Sequence, residues 1–103
     1  MDTGLTLVDI NRITEAIKQF PEIDDAVIFG SRAKGTYKKA SDVDLAIKGP
    51  AVTSETIQRL SFVLNDDLPL PYYFDVVRYE TLENHLLVEH IDRVGMSIMS
   101  LGG

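Results

Sequence analysis

The sequence predicts an α/β (α+β) fold, a small mixed sheet of about three or four strands with helices mainly on one face. Two observations lead to this prediction. Apolar residues recur at helical spacing in several segments, and short apolar β-prone runs, often closed by glycine, lie between those segments. In chain order the elements are α-β-α-β-α-β-α. With 103 residues the chain is expected to form one domain, residues 1–103, because a second core would have too few residues.

The helices are predicted from apolar positions three and four residues apart and from capping residues. The first helix ends before Pro21, and the third begins at Thr53 or Ser54, which are residue types that cap helices. A short helix is expected after Gly30, and a last helix from about residue 82 to 94, stopped by Gly95. The apolar faces of the first and third helices consist of Leu7, Ile10, Ile13, Ile17 and Phe20, and of Ile57, Leu60, Phe62, Val63 and Leu64.

Three strands are predicted from short apolar runs between these helices, at residues 26–29, 43–47 and 72–77. The apolar tail at residues 94–99 is compatible with core packing or with an interface. Because few strands are expected, helices would cover mainly one face of the sheet, and the other face would be free for a site or a partner.

Composition excludes several classes of function. The absence of cysteine rules out disulfides, thiol catalysis and thiolate metal sites. A net charge of −6 argues against direct DNA or nonspecific nucleic-acid binding. No apolar run approaches membrane-spanning length and the N-terminal residues do not form a signal peptide, so a cytoplasmic protein without membrane attachment is expected. Four basic residues lie within eight positions, either as a solvated loop or as a site for a small polyanion: Arg32, Lys34, Lys38 and Lys39.

Asp42 and Asp44 flank a single residue at the start of the second predicted strand. Side chains alternate along a strand, so both carboxylates point the same way, with Cα atoms roughly 6.6 Å apart. Two such charges repel by roughly 2 kcal/mol at an effective dielectric constant of about 20. A divalent cation reverses this repulsion, and Mg²⁺ uses one or two carboxylates together with phosphate oxygens. Alternatively, Asp42 serves only as a turn or capping residue.

Gly30 and Ser31 stand where the first predicted strand gives way to a short helix. Backbone N–H groups at a helix start are unpaired and attract phosphate, and glycine lets a ligand approach the backbone closely. The Ser31 hydroxyl can bond a phosphate oxygen or simply cap the helix. The spacing of Gly-Ser to Asp-x-Asp, bracketed by two strands, is the stronger observation, because it predicts a phosphate cradle beside a metal-binding pair.

The run Gly30-Ser31-Arg32-Ala33-Lys34-Gly35, followed by Ser41-Asp42-Val43-Asp44-Leu45, resembles the minimal nucleotidyltransferases of the polymerase-β superfamily, in particular those encoded beside HEPN-domain partners. The resemblance covers nearly the whole chain. It implies that Gly30 and Ser31 hold the triphosphate of ATP and that Asp42 and Asp44 bind two Mg²⁺ ions. Superfamily members carry a third acid on a later strand.

Asp75 is the only acid inside the third predicted strand, and its neighbours Phe74 and Val76 would face the core, leaving it on the opposite face. With the resemblance, Asp75 completes the metal site and acts as general base. Otherwise it is an aspartate on a solvated sheet face. Arg32 and Lys34 would neutralise the triphosphate, or would be solvated.

The resemblance implies transfer of AMP from ATP to a hydroxyl on a HEPN-domain protein, as the antitoxin of a toxin–antitoxin pair. One alternative is a non-catalytic antitoxin or nucleotide-binding subunit that acts by direct contact. Another is a small-molecule nucleotidyltransferase of the aminoglycoside type.

A P-loop hydrolase is disfavoured because Thr36-Tyr37 follows Gly35 where Lys-Ser/Thr is required. A separate subunit, in a homo- or hetero-oligomer, could supply the acceptor domain. His85 and His90, five residues apart, are interpreted as structural.

Overall fold

The computed structural model describes residues 3–101; residues 1–2 and 102–103, which the predicted domain includes, lie outside the described residues. In chain order the described elements are α1 (Leu7–Lys18), β1 (Asp25–Phe29), α2 (Gly30–Lys34), β2 (Val43–Lys48), α3 (Ser54–Phe62), a π-helical turn (Val63–Asp67), β3 (Phe74–Arg78), a 3₁₀ turn (Tyr79–Thr81), α4 (His85–Val94), β4 (Met96–Ser97) and α5 (Ile98–Leu101). None of the helices within residues 3–101 has the length and apolar character needed to cross a bilayer.

The four described strands form one mixed sheet in the order β3-β2-β1-β4. β1 runs antiparallel to β2 and β4, whereas β2 and β3 are parallel. Phe29 at the end of β1 pairs with Asp44, and Asp44 pairs in turn with Asp75 on β3. The carboxyl end of β1 therefore lies beside the amino ends of β2 and β3, at one end of these strands. The predicted α/β class is confirmed, and the sheet has the larger of the two expected strand numbers.

The first helix begins at a capping box. Thr6 Oγ1 accepts from the Asp9 N–H at 3.0 Å, and the Thr6 N–H donates to Asp9 Oδ2 at 3.1 Å. The buried face starts at Ile10 and continues through Ile13 and Ile17, as the spacing predicts. Leu7 was predicted on the same face but is 61% exposed, because it precedes the turn that packs on the sheet.

The third helix is capped by Thr53 and buries Leu60, as predicted. Its apolar pattern is interrupted where the helix widens into the π-helical turn at Val63–Asp67. A π turn holds one residue more than an α turn, so the residues that face the core change there. Leu64 is fully buried, whereas Phe62, predicted in the core, is 58% exposed.

The two faces of the sheet carry different amounts of core. The first face, covered by α1, α3 and α5, forms the main cluster, whose strand residues are Ala26, Ile28, Val43, Leu45, Ile47 and Phe74. The second face carries a small cluster in which Ile91 of α4 packs on Val27, Phe29 and Ala46. Helices thus lie mainly on one face, as expected, although α4 covers the β1 side of the other.

Two short elements follow α4 that the sequence did not predict. Gly95 ends α4, but with an extended backbone (φ −61°, ψ 144°) rather than a left-handed one, so the chain continues directly into β4. β4 pairs with β1, and Ile98 of α5 is fully buried in the main core. The apolar tail is therefore part of the core, the commoner of its two sequence interpretations.

Candidate active site

Two carboxylates lie side by side on the second face of the sheet. Asp44 and Asp75 are register partners on the parallel strands β2 and β3. Their neighbours Val43, Leu45 and Phe74 are fully buried in the first-face core, so the alternation of strand side chains places both acids on the other face. Asp44 is half-buried and Asp75 is exposed. The sheet therefore aligns two like charges. This arrangement destabilises a sheet unless a positive charge lies between them.

Asp42 immediately precedes β2 and is exposed. Burial raises the pKa of the Asp44 carboxyl, and the nearby charges of Asp75 and then Asp42 raise it further. The charges of the two other predicted acids thus act on Asp44.

The acids do not form a closed metal cage. Among residues 3–101 no three His, Asp or Glu side chains are grouped closely enough to hold an ion by themselves. Mg²⁺ does not require such a cage, because it keeps several waters and binds through one or two carboxylates plus substrate phosphates. An open set of oxygen ligands that repel one another, centred on half-buried Asp44, fits that cation.

Gly30 joins the acids to the end of β1. It has φ +74°, a conformation that favours glycine, and a Cβ added to it would overlap Asp44 Oδ2. Any other residue at position 30 would therefore displace Asp44 and strain the backbone. The Gly-Ser and Asp-x-Asp motifs, recognised separately in the sequence, meet at this contact.

The remaining residues of the predicted phosphate cradle lie on α2, which is a single short turn. Ser31 is half-buried next to Gly30, and Lys34 is exposed. Gly35 ends the turn in the left-handed conformation, with φ +80°. The structure thus brings Gly30 and Ser31 to the strand ends at which the acids lie, and it leaves the Lys34 amine in solvent.

Arg32 is placed differently from the other predicted nucleotide-binding residues. Its side chain is only 1% exposed. Nη1 donates to the Thr3 carbonyl at 2.9 Å, and Nη2 and Nε donate to the Ser41 carbonyl at 2.9 and 3.3 Å. The guanidinium carbon lies 5.2 Å from the centre of the Tyr37 ring and 4.9 Å from that of Tyr72. These contacts occupy Arg32 in the interior, where it ties the loop that leads to Asp42.

His90, which the sequence indicated as structural, contacts the start of the predicted phosphate cradle. The Gly30 N–H donates to His90 Nε2 at 3.0 Å, and the imidazole lies edge-on to Phe29 with ring centres 6.2 Å apart. His90 is 60 positions from Gly30, and no local pattern links the two. His85 is exposed.

Asn65, in the π-helical turn, is a residue near the site that the sequence did not single out. Its Oδ1 accepts from the Phe74 N–H at 2.7 Å, and its Nδ2 donates to the Phe74 carbonyl at 3.0 Å. This side chain therefore pairs with the outer edge of β3, one residue before Asp75.

A family model described as Polymerase beta, Nucleotidyltransferase matches residues 11–101. The chain therefore belongs to the polymerase-β nucleotidyltransferase family, which confirms the resemblance in the motifs around Gly30 and Asp44. No curated protein matches the sequence.

Two similar solved structures are toxin–antitoxin proteins. One was crystallised with AMP-PNP; it has a TM-score of 0.72 and 21% identity over 87% of this chain and 72% of that chain. The other is a mutant of the MntA–HpeT pair with two aspartate-to-glutamate changes, with a TM-score of 0.70 and 16% identity over 86% of this chain and 70% of that chain. At these identities the similarity shows a shared fold.

Proposed function

We propose that this protein transfers AMP from ATP, with Mg²⁺, to a hydroxyl on a HEPN-domain toxin, for which it serves as antitoxin. The observation that carries the proposal is the alignment of Asp44 with Asp75, together with the close approach of Asp44 to Gly30. Membership of the nucleotidyltransferase family supports the type of reaction. The similarity to toxin–antitoxin structures, one of them crystallised with AMP-PNP, supports the nucleotide and the kind of partner.

Asp42 and Asp44 would hold the magnesium, with Asp75 completing a site for two ions. When bound, Mg²⁺ neutralises phosphate charge and lowers the pKa of a coordinated hydroxyl. The protein contributes alignment, because the backbone pairing of β2 with β3 holds Asp44 and Asp75 at matched positions. In a metal-free protein the two aligned carboxylates repel each other, so their alignment favours binding of a cation.

Gly30 and Ser31 would bind the triphosphate, helped by Lys34. Gly30 has no side chain to keep phosphate oxygens from the backbone, and the Ser31 hydroxyl can donate to one of them. Lys34 is exposed, so its amine can interact with the negative charge of the nucleotide. Arg32 would contribute indirectly, because its bonds to the Ser41 carbonyl fix the loop before Asp42.

Asp75 would act as the general base. It is exposed, so an acceptor hydroxyl on another protein can reach it, whereas its register partner Asp44 is half-buried. Asp75 takes the hydroxyl proton as the oxygen attacks the α-phosphorus, and pyrophosphate leaves with the electrons of the broken P–O bond. The products are an AMP ester of the acceptor and pyrophosphate.

The test uses ATP labelled at the α-phosphate, the purified protein and its co-expressed HEPN-domain neighbour. Asp44→Asn should lower label transfer to the partner by about a hundred- to a thousandfold, because a ligand worth several kcal/mol of charge stabilisation is lost. Asp66→Asn is the matched control, since Asp66 is an exposed acid in the π-helical turn.

Undiminished transfer by Asp44→Asn would overturn the catalytic proposal. The direct-contact alternative predicts a different result. In that case the wild-type protein transfers no label, yet it and Asp44→Asn neutralise the partner equally.

A further inference from the structure

A hydrogen bond ties α4 to the start of the phosphate cradle. The Gly30 N–H donates to Nε2 of His90 over 3.0 Å. An imidazole nitrogen can accept only when it carries no proton, so His90 must be neutral with its proton on Nδ1. The bond therefore specifies both the protonation state and the tautomer of His90.

Two further contacts fix the position of the imidazole. The ring packs edge-on against Phe29, the residue that precedes Gly30. The next residue on α4, Ile91, is 2% exposed in the second-face cluster, so the helix cannot shift easily at this point. On the other side, Gly30 contacts the Asp44 carboxylate. His90, Gly30 and Asp44 thus form a continuous chain of contacts from α4 to the metal-binding acids.

We propose that His90 is a positioning residue for nucleotide binding, which holds Gly30 and Ser31 in the conformation that receives the triphosphate. This inference rests on the proposed function. Gly30 has an unusual backbone conformation, φ +74°, and its half-buried N–H requires an acceptor. Without His90 the segment would relax to satisfy that N–H elsewhere, and the cradle and Asp44 would lose their mutual alignment.

The first experiment examines the hydrogen bond without any nucleotide. In ¹⁵N-labelled wild-type protein, NMR should show neutral His90 with the proton on Nδ1 and the Gly30 amide shifted by its bond. His90→Phe should move the Gly30 amide strongly, because the ring remains but the acceptor is lost. His90→Gln should restore most of the shift, because the glutamine side-chain oxygen can accept the same bond.

The second experiment measures the affinity for Mg²⁺ with a non-hydrolysable ATP analogue by calorimetry. His90→Phe should bind about five- to tenfold more weakly than wild type, the loss typical of one hydrogen bond, and His90→Gln should recover much of that loss. His85→Phe is the matched control, because it changes an exposed histidine on the same helix and should leave affinity unchanged. Circular dichroism confirms that each variant is folded.

The outcomes separate this inference from the proposed function. If wild type binds the analogue and His90→Phe binds equally well, the positioning role is overturned while the nucleotide site stands. A protonated His90, or one with its proton on Nε2, also overturns the inference. If wild type binds no analogue, the proposed function fails and the positioning role falls with it, even where NMR finds the His90–Gly30 bond intact. Weakening by His90→Phe with recovery by His90→Gln supports the inference.

Discussion

The main apolar core and the proposed active site lie on opposite faces of the sheet. The first face presents Val43, Leu45 and Phe74 to three helices, and all three side chains are fully buried. The second face presents Asp44 and Asp75, the alternate residues of the same two strands, to an open surface. One strand thus contributes to the apolar core through every other residue and to the proposed active site through the residues between them.

The separation of the two faces explains how the sheet can hold two carboxylates that repel each other. Aligned carboxylates weaken a sheet, but the first-face core of β2 and β3 stabilises the strands that carry them. Changes on the first face should therefore affect stability and leave the acids chemically intact. Changes among the acids should affect chemistry and leave the fold intact or even more stable.

Leu45→Ala should have the largest effect on stability. Leu45 is fully buried on the first face, so its truncation should lower the free energy of unfolding by about 2–5 kcal/mol. Leu87→Ala is the matched change on the second face, where Leu87 is only partly buried in the small cluster. Urea unfolding of both variants measures the contrast. Equal losses would show that the second face contributes as much to stability as the first.

Asn65→Leu should have an intermediate effect. The side chain pairs with both main-chain groups of Phe74, so an apolar replacement of similar size leaves a buried N–H and a carbonyl without partners. The expected loss is about 1–3 kcal/mol in the free energy of unfolding. Nucleotide transfer should also fall, because Asp75 follows Phe74 directly.

The control for this change is Asp66→Leu, at the exposed neighbouring position of the same turn, which should change stability by less than about 0.5 kcal/mol. Similar losses in the two variants would mean that the π-helical turn, rather than the Asn65 hydrogen bonds, is responsible.

Asp44→Asn should have the smallest effect on stability, and of opposite sign. The pKa of Asp44 is raised above its ordinary value of 3.8 by burial and by Asp75 and Asp42. In the window just above that value the folded state binds more protons than the unfolded state, so stability falls as pH rises. At neutral pH without Mg²⁺ the amide should therefore increase the free energy of unfolding by about 0.2–1 kcal/mol.

Urea unfolding in EDTA, from neutral pH to about pH 4, tests the pH dependence. The advantage of Asp44→Asn should shrink as the pH falls, because the wild-type carboxyl becomes protonated. Added Mg²⁺ should stabilise the wild type more than the variant. A variant that is less stable than wild type at neutral pH in EDTA would show that Asp44 is not under electrostatic strain.

The strands that carry the acids could be predicted because their signals are local. The apolar runs at residues 43–47 and 72–77 predict the two strands that carry Asp44 and Asp75, and side-chain alternation alone places Asp75 on the sheet face opposite to that of Phe74. β4 could not be predicted, since a strand of two residues has no periodicity. The prediction that Phe62 is buried was wrong, because no residue pattern near it indicates a π-helical turn.

The residues that the sequence placed least well depend on contacts between distant segments. Arg32 is charged and lies in a basic stretch, which favours solvent, yet two carbonyl groups and two tyrosine rings hold it inside. His90 reaches Gly30 across 60 positions. Such partners are invisible to spacing rules, because the sequence shows a side chain's chemistry and not the groups that surround it.

The pairing of β4 with β1 has a consequence for how the chain folds. Val27 pairs with Ser97, 70 positions further along, whereas Phe29 and Asp44 of the β1–β2 pair are only 15 apart. Contacts between distant residues carry the larger loop-closure entropy and tend to slow folding. During synthesis on the ribosome, β1 therefore keeps one unpaired edge until residues 96–97 emerge, and in that interval it is open to pairing with the wrong chain.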